Sequence, residues 1–309
     1  MMMKKQRMVM GAARLGVLAG LAVAADPARL GAETGLDLAA YTLEPVYAAD
    51  FTDAAANRIV SESAELFAGE ERQPLPEDAA WVYEGADRAW IEDGKLWLGG
   101  AAKTSRFQPE AHEAQYHSVL WNTHEFPADF LLEFTFTQTQ KTGLNIVFLA
   151  TRAREAFGGG DPFQTGLPRR RGRFDEYTQG ALDCYHISYF ATTPRGDPRG
   201  QSNLRKNHGF HLVAEGEDFI SDMAGLGPHR VRVLKVGARL TLEVNGRIAL
   251  AWTDTGEIGG PPHGAGWIGL RQMRHSALCA YDSFQVWAVK GPPVQAARAE
   301  TDYLERVRP

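Results

Sequence analysis

Period-two alternation is the feature that most narrows what this chain can become. Over residues 130–138, Phe130, Leu132, Phe134 and Phe136 fall on one side, and Leu131, Glu133, Thr135 and Thr137 on the other. A strand with one buried face produces this pattern and a helix does not. Short segments of similar character recur from Trp81 onward, at 81–83, 89–91, 95–98, 117–124, 144–151, 181–192, 230–236, 240–244, 247–252, 267–273 and 277–290. Turn chemistry separates them. Glu92-Asp93-Gly94 and Asn245-Gly246 are hairpin signals, and Pro127-Ala128-Asp129 is a turn. About a dozen strands with little helix predict an all-β sandwich with two large antiparallel sheets. Ahead of them, 43–51 reads as a first strand and 54–67 as a helix.

The termini stand outside that pattern. Lys4, Lys5, Arg7 and Arg14 precede a short apolar run at 15–24, which ends in Ala22-Val23-Ala24-Ala25. A basic start, a short apolar stretch and small residues at the end describe a secretory signal peptide over 1–25. The run is shorter than the roughly 20 apolar residues that cross a bilayer, so no membrane span is expected. The reading is therefore a secreted or periplasmic protein with a linker at 26–40, one domain at 41–290 and a charged tail at 291–309. Cys184 and Cys279 are the only cysteines. Both fall inside expected strands, where a lone cysteine behaves as a small buried hydrophobe. Two buried thiols are expected, although an oxidising compartment would permit a disulfide. The net charge of -5 argues against a nucleic-acid partner.

Against that acidic average, residues 180–212 are cationic and dense in reactive side chains. A strand carrying His186, Ser188 and Tyr189 leads through a Gly/Pro-rich turn to what reads as a basic, amide-rich loop with Asn203, Arg205, Lys206, Asn207 and His208. The stretch is expected to line a groove for an anionic, hydroxyl-rich ligand. The Gly/Arg-rich insertion at 152–178 is long for a connection between strands, a sign of function or disorder.

The order of several pieces is also familiar. Trp81-Val82-Tyr83-Glu84-Gly85, Glu92-Asp93-Gly94-Lys95-Leu96, His117-Ser118-Val119-Leu120-Trp121 and Phe126-Pro127-Ala128-Asp129-Phe130 resemble the concanavalin-A-like lectin/glucanase sandwich, a jelly roll. Gly266-Trp267-Ile268-Gly269-Leu270-Arg271-Gln272-Met273 and Ala280-Tyr281-Asp282-Ser283-Phe284 resemble its closing strands. Tyr185-His186-Ile187-Ser188-Tyr189 with Asn203-Leu204-Arg205-Lys206-Asn207 resembles the YesU-like family, domain of unknown function 1961, over about 41–290. Members sit among polysaccharide-degradation systems, so the resemblance implies a carbohydrate partner. No cofactor and no catalytic metal are expected. Some relatives of the fold hold a structural calcium, for which Asp282 is the one candidate.

Glucanases of this fold carry an E-x-D-x-x-E strand, and this chain has none. β-Elimination from a uronic acid needs different groups. A base removes the C5 proton, and cations or amides neutralise the carboxylate on which charge develops. His186 is the expected base or proton shuttle, with Tyr189, if bulged, or another Tyr or His as the second proton carrier, and Arg271 facing the same groove. His186 and Tyr189 reach one face only if a bulge intervenes. Asn122, His124, Asn145, Ser188, Asn203, Arg205, Lys206 and Asn207 are the expected contacts to an acidic poly- or oligosaccharide. Two alternatives remain open. One is a hydrolase using Glu133, Asp175 or Glu176. The other is a binding module that stacks sugars on Trp81, Trp121 or Trp267.

Overall fold

A computed structural model of the chain describes residues 36–85, 89–99, 117–222, 226–273, 275–276 and 278–291. The expected signal peptide, most of the expected linker and all of the tail beyond Gly291 lie outside the described residues.

Two eight-stranded sheets face each other. The first runs β16 (Arg247–Thr253), β15 (Arg239–Val244), β14 (His229–Val236), β9 (Phe130–Gln138), β18 (Cys279–Lys290), β7 (Lys95–Leu98) and β6 (Ala89–Glu92), with β1 (Thr42–Ala49) also paired to β18. The second runs β13 (His211–Glu217), β12 (Gln201–Asn207), β11 (Leu182–Ala191), β10 (Leu144–Ala153), β17 (Trp267–Gln272), β8 (Ser118–Asn122), β5 (Trp81–Glu84) and β2 (Ile59–Ser61). Every pairing is antiparallel except β2 with β5. A small hairpin, β3 (Phe67–Ala68) with β4 (Glu71–Arg72), stands apart. The expected all-β sandwich is present.

The alternation explains the core. Leu132, Phe134 and Phe136 of β9 meet Leu149, Tyr185, Ile187 and Leu270 of the facing sheet in one buried cluster. Both hairpin signals form tight turns with positive φ at each central residue: 53° and 68° at Asp93-Gly94, and 52° and 81° at Asn245-Gly246. That is the backbone which type I′ turns require.

Two segments differ from their sequence reading. Residues 54–67 are not one helix: they form β2, a single helical turn α1 (Glu62–Glu65) and the start of β3. Residues 201–207, read as part of a loop, form the regular strand β12 between β11 and β13.

The insertion after β10 folds down onto the outer face of the second sheet. Its Phe163 and its short helix α2 (Phe174–Thr178), through Tyr177, pack on Val82, Val119, Trp121, Phe148, Leu182 and Cys184. Gly269 makes room for this layer, since a Cβ there would stand 2.4 Å from the Trp121 ring. Buried charge pins the insertion. Arg170 donates to Glu84 Oε1 from Nε at 2.9 Å and Nη2 at 2.6 Å, and the Tyr177 hydroxyl donates to Glu84 Oε2 at 2.8 Å. Trp81 and Trp121 are fully buried, and Trp267 spends its indole N–H on the Thr123 carbonyl at 3.1 Å. None of the three offers a sugar-stacking surface. Cys184 and Cys279 are separate buried thiols on opposite sheets.

Candidate functional site

Where the insertion stops, the outer face of the second sheet opens into a cavity of about 180 Å³. Four neighbouring strands supply its floor. β17 gives Arg271, β10 gives Ile146, β11 gives His186 and Ser188, and β12 gives Asn203 and Arg205. The register sets them in rows: Arg271 is opposite Ile146, Ile146 opposite Ser188, and His186 opposite Arg205. Period two then sends His186, Ser188, Asn203, Arg205 and Arg271 out of the same face. Phe174 of α2 and Phe210 form one wall, edge to face at 4.9 Å.

Arg271 is fully buried, and none of its three guanidinium nitrogens has a hydrogen-bond partner. Its neighbours are the rings of Tyr177 at 5.0 Å, Phe174 at 5.4 Å and Phe148 at 5.6 Å. Burial lowers its pKa to about 10, and it stays protonated at neutral pH. Aromatic faces offset only part of the cost of removing such a cation from water. The site is short of an anion.

His186 is 4% exposed. Burial, then the positive charges of Arg271 and Arg205, hold its imidazole well below the ordinary value of 6.5. It is neutral at neutral pH. Its Nδ1 lies 3.0 Å from the Asn207 amide, which also reaches Cys184 Sγ at 3.4 Å. With the amide nitrogen donating, the imidazole proton sits on Nε2. With the amide turned over, Nδ1–H donates to the amide oxygen and Nε2 is free to accept a proton. A base needs the second arrangement. Arg205 stacks on Phe210 at 3.9 Å and donates to its carbonyl at 3.0 Å, which fixes the guanidinium at the rim. Ser188 Oγ accepts from Asn203 N–H at 2.8 Å.

The structure therefore brings together His186, Ser188, Asn203, Arg205 and Arg271 from the expected set, with Asn207 behind His186. The others are corrected. A register shift opposite Asn145 and Ile146 does interrupt β11, but Tyr189 and Phe190 both enter the core there. Tyr189 is sealed between the sheets, its hydroxyl 2.9 Å from that of Tyr281. Lys206 points inward beside Leu204 and pairs with Asp254 at 2.7 Å. Asn145 lies between the sheets and donates to Gln138 at 3.3 Å. Asn122 is also buried inward, accepting the His124 N–H at 2.9 Å, while the His124 ring packs on Tyr47 and Phe126. The carboxylates proposed for hydrolysis are elsewhere. Glu133 pairs with Arg232 on the first sheet, Asp175 with Arg173 at 3.0 Å, and Glu176 accepts the N–H groups of Arg171 and Arg173. No described Asp or Glu lines the cavity. Phe174, Phe210 and Gln201 also line it, and sequence reasoning did not single them out. Phe174 opens the one-turn helix α2 and Phe210 lies in a turn, and neither segment is long enough for a periodicity to reveal its direction. Among the described residues no group of three or more His, Cys, Asp or Glu could hold a metal ion.

A family model described as a domain of unknown function, DUF1961, matches residues 73–286. The chain belongs to that family. It is similar to the uncharacterized protein YesU of Bacillus subtilis (strain 168), with 32% identity over 195 residues, covering 62% of this chain and 82% of that protein. A crystal structure of a protein of unknown function with galectin-like fold, also from Bacillus subtilis, superposes with a TM-score of 0.61 at 24% identity. The match covers 82% of this chain and all of the other. That likeness supports the lectin-like sandwich. The DUF1961 span contains every residue named in the cavity.

Proposed function

We propose that this DUF1961 protein is a carbohydrate-active enzyme that acts on a uronate residue of an acidic glycan by β-elimination. The observation that carries the reading is Arg271, a fully buried cation with three unpartnered nitrogens beside a neutral histidine. The uronate carboxylate lies against Arg271, and its charge meets the deficit described above. His186 takes the C5 proton. The C–H electron pair becomes the C4=C5 double bond, and the C4–O bond breaks with its electrons on oxygen. That oxygen leaves protonated, either as a sugar hydroxyl, which makes the enzyme a lyase, or as water, which makes it a dehydratase. Arg271 and Arg205 stabilise the negative charge that builds on the carboxylate in the transition state. His186 is the only titratable base among the lining residues. It therefore serves also as the acid for the departing oxygen, or passes its proton through water.

The cavity is smaller than the roughly 300–1,000 Å³ of typical ligand sites, which suits one sugar residue and not a long segment of chain. The basic and apolar start of the sequence, read as a signal peptide, supports an activity outside the cytoplasm.

Incubation of the mature protein with uronate-bearing oligosaccharides is expected to raise ultraviolet absorbance from the conjugated product. Mass spectrometry should show a product one water lighter than the hydrolysis product or the intact substrate. His186→Ala and Arg271→Met should each abolish it. Hydrolytic products, or no change across a broad uronate panel, would reject elimination. Saturable binding without product would leave a lectin-like module.

A further inference from the structure

The cavity is walled at one end and open at the other, and the open end carries a cation that the elimination step does not use. Phe174 and Phe210 wall the end where His186 and Arg205 stand, with Arg205 stacked on Phe210 at 3.9 Å and the His186 ring 5.5 Å from it. The floor runs in rows away from that wall. Arg271, Ile146 and Ser188 stand opposite one another, and the Asn203 N–H donates to Ser188 Oγ at 2.8 Å. One row outward, the Met273 N–H donates to the Leu144 carbonyl at 3.0 Å, Leu144 stands opposite Ala191, and the Arg199 N–H donates to the Ala191 carbonyl at 2.9 Å. All four residues of this row line the cavity, as does Gln201. Arg271 and Met273 are two residues apart on one face, so the rows are about 7 Å apart, close to the length of one sugar residue. Burial falls in the same direction. Arg271, Ile146, His186 and Ser188 are buried, Leu144 and Met273 are half-buried, and Gln201 and Arg199 are exposed. The outer row is the mouth.

Arg199 stands there without a counter-charge. Among the described residues no carboxylate pairs with its guanidinium. The acidic groups nearest it in sequence and register are engaged elsewhere. Asp197 accepts from the Thr193 hydroxyl at 3.1 Å, and Asp218 accepts the N–H groups of Ala191, Ile220 and Ser221. Glu215 accepts from the Gln201 amide at 3.1 Å, and Glu217 lies 3.8 Å from Arg247. An exposed arginine alone is ordinary. This one borders a half-buried apolar floor, Leu144 and Met273, on which the apolar face of a sugar ring can rest.

We propose that Arg199 and this floor form a second subsite, which takes the carboxylate of the sugar next to the one at Arg271. The ligand is then an oligouronate, acidic at consecutive residues, and not a single uronate set in a neutral glycan. The placement of the first sugar rests on the function proposed above; the unpaired cation at the mouth does not. Arginine suits the task, since its planar fork donates in pairs to a carboxylate.

The test uses the His186→Gln protein, which keeps the ligand intact, alone and with Arg199→Ala or Arg271→Met. Calorimetry measures binding of a uronate monosaccharide, a diuronate, and disaccharides of one uronate and one neutral hexose in both orders. Arg199 is exposed, so Arg199→Ala should not move the melting temperature. It is expected to weaken the diuronate about five- to tenfold and to change the other three ligands by less than about twofold. Arg271→Met is expected to abolish binding of all four. Unchanged diuronate affinity in Arg199→Ala, or equal weakening of every ligand, would overturn the subsite and leave the Arg271 site standing. Selective weakening of the diuronate by Arg199→Ala with no effect of Arg271→Met would keep the cation at the mouth and overturn the uronate placement on Arg271. If no ligand binds the parent protein, both fall.

Discussion

Arg271 carries opposite consequences for stability and for binding. Its guanidinium is desolvated without an acceptor, and three aromatic rings compensate only in part. Replacing a buried charge with an apolar side chain of similar length is often neutral or stabilising, by about 1–4 kcal/mol. Arg271→Met should therefore leave the ligand-free melting temperature unchanged or higher while abolishing uronate binding. A clear drop in melting temperature would make Arg271 a structural residue. His186 makes a separate prediction. A base must be unprotonated, and burial with Arg271 and Arg205 keeps this imidazole neutral well below 6.5. The acid limb of kcat/KM, which reports the free enzyme, should lie below that value. Arg205→Gln removes one of the opposing charges and should move the limb upward, toward 6.5. A limb already at or above 6.5 in the unaltered protein would exclude His186 as the base.

At the scale of elements, the insertion is what turns a flat sheet face into a pocket. Its hold depends on Glu84, which lies at the end of β5 and receives both Arg170 and Tyr177 in a buried position. Removing one partner of a buried pair leaves the other charge uncompensated, at about 3–5 kcal/mol. Glu84→Ala should release the insertion, expose 152–178 to limited proteolysis and remove Phe174 and Tyr177 from around Arg271. Ligand binding should fail even though no substituted residue touches the ligand. Retained protease resistance with retained binding would show that apolar packing alone holds the segment. Its length marked the insertion in the sequence, but the contact that holds it was not legible, because Glu84 and Arg170 are far apart in the chain. β12 was hidden for a related reason. Only Leu204 among its residues is apolar, so no alternation marks it. The inward turn of Lys206 contradicts what burial usually selects, and Asp254, after β16, together with the Gly260 carbonyl accounts for it.

The whole molecule was far more legible than its site. β9, the two tight hairpins and the β17 face carrying Arg271 follow from period two and turn chemistry alone. His186 and Arg271 were found that way, whereas Tyr189, Asn122 and Asn145 were misplaced because polar side chains also fill the space between the sheets. Two histidines, buried His186 and half-buried His263, give the molecule a stability profile whose sign follows from their surroundings. Burial, then nearby positive charge, lowers the pKa of both His186 and His263 from 6.5, with Lys206 the cation beside His263. Below 6.5 the unfolded chain takes up protons at these positions and the folded protein does not. Stability rises with pH wherever the unfolded state binds more protons, so it is fully present above about 6.5 and is lost as pH falls through and below that value. Asp218 and Glu176 act in the opposite direction. Burial raises them above 3.8 and 4.5, so acidification lets the folded protein take up protons there first. That gain belongs to a more acidic window than the onset of histidine loss. Melting temperature should therefore fall between about pH 7 and pH 5. His186→Gln should flatten that decline while leaving the contribution of His263. An unchanged slope in the variant would mean that His186 takes up its proton in the folded protein as readily as in the unfolded chain. The cavity would then be wetter, and Arg271 less isolated, than the buried geometry requires.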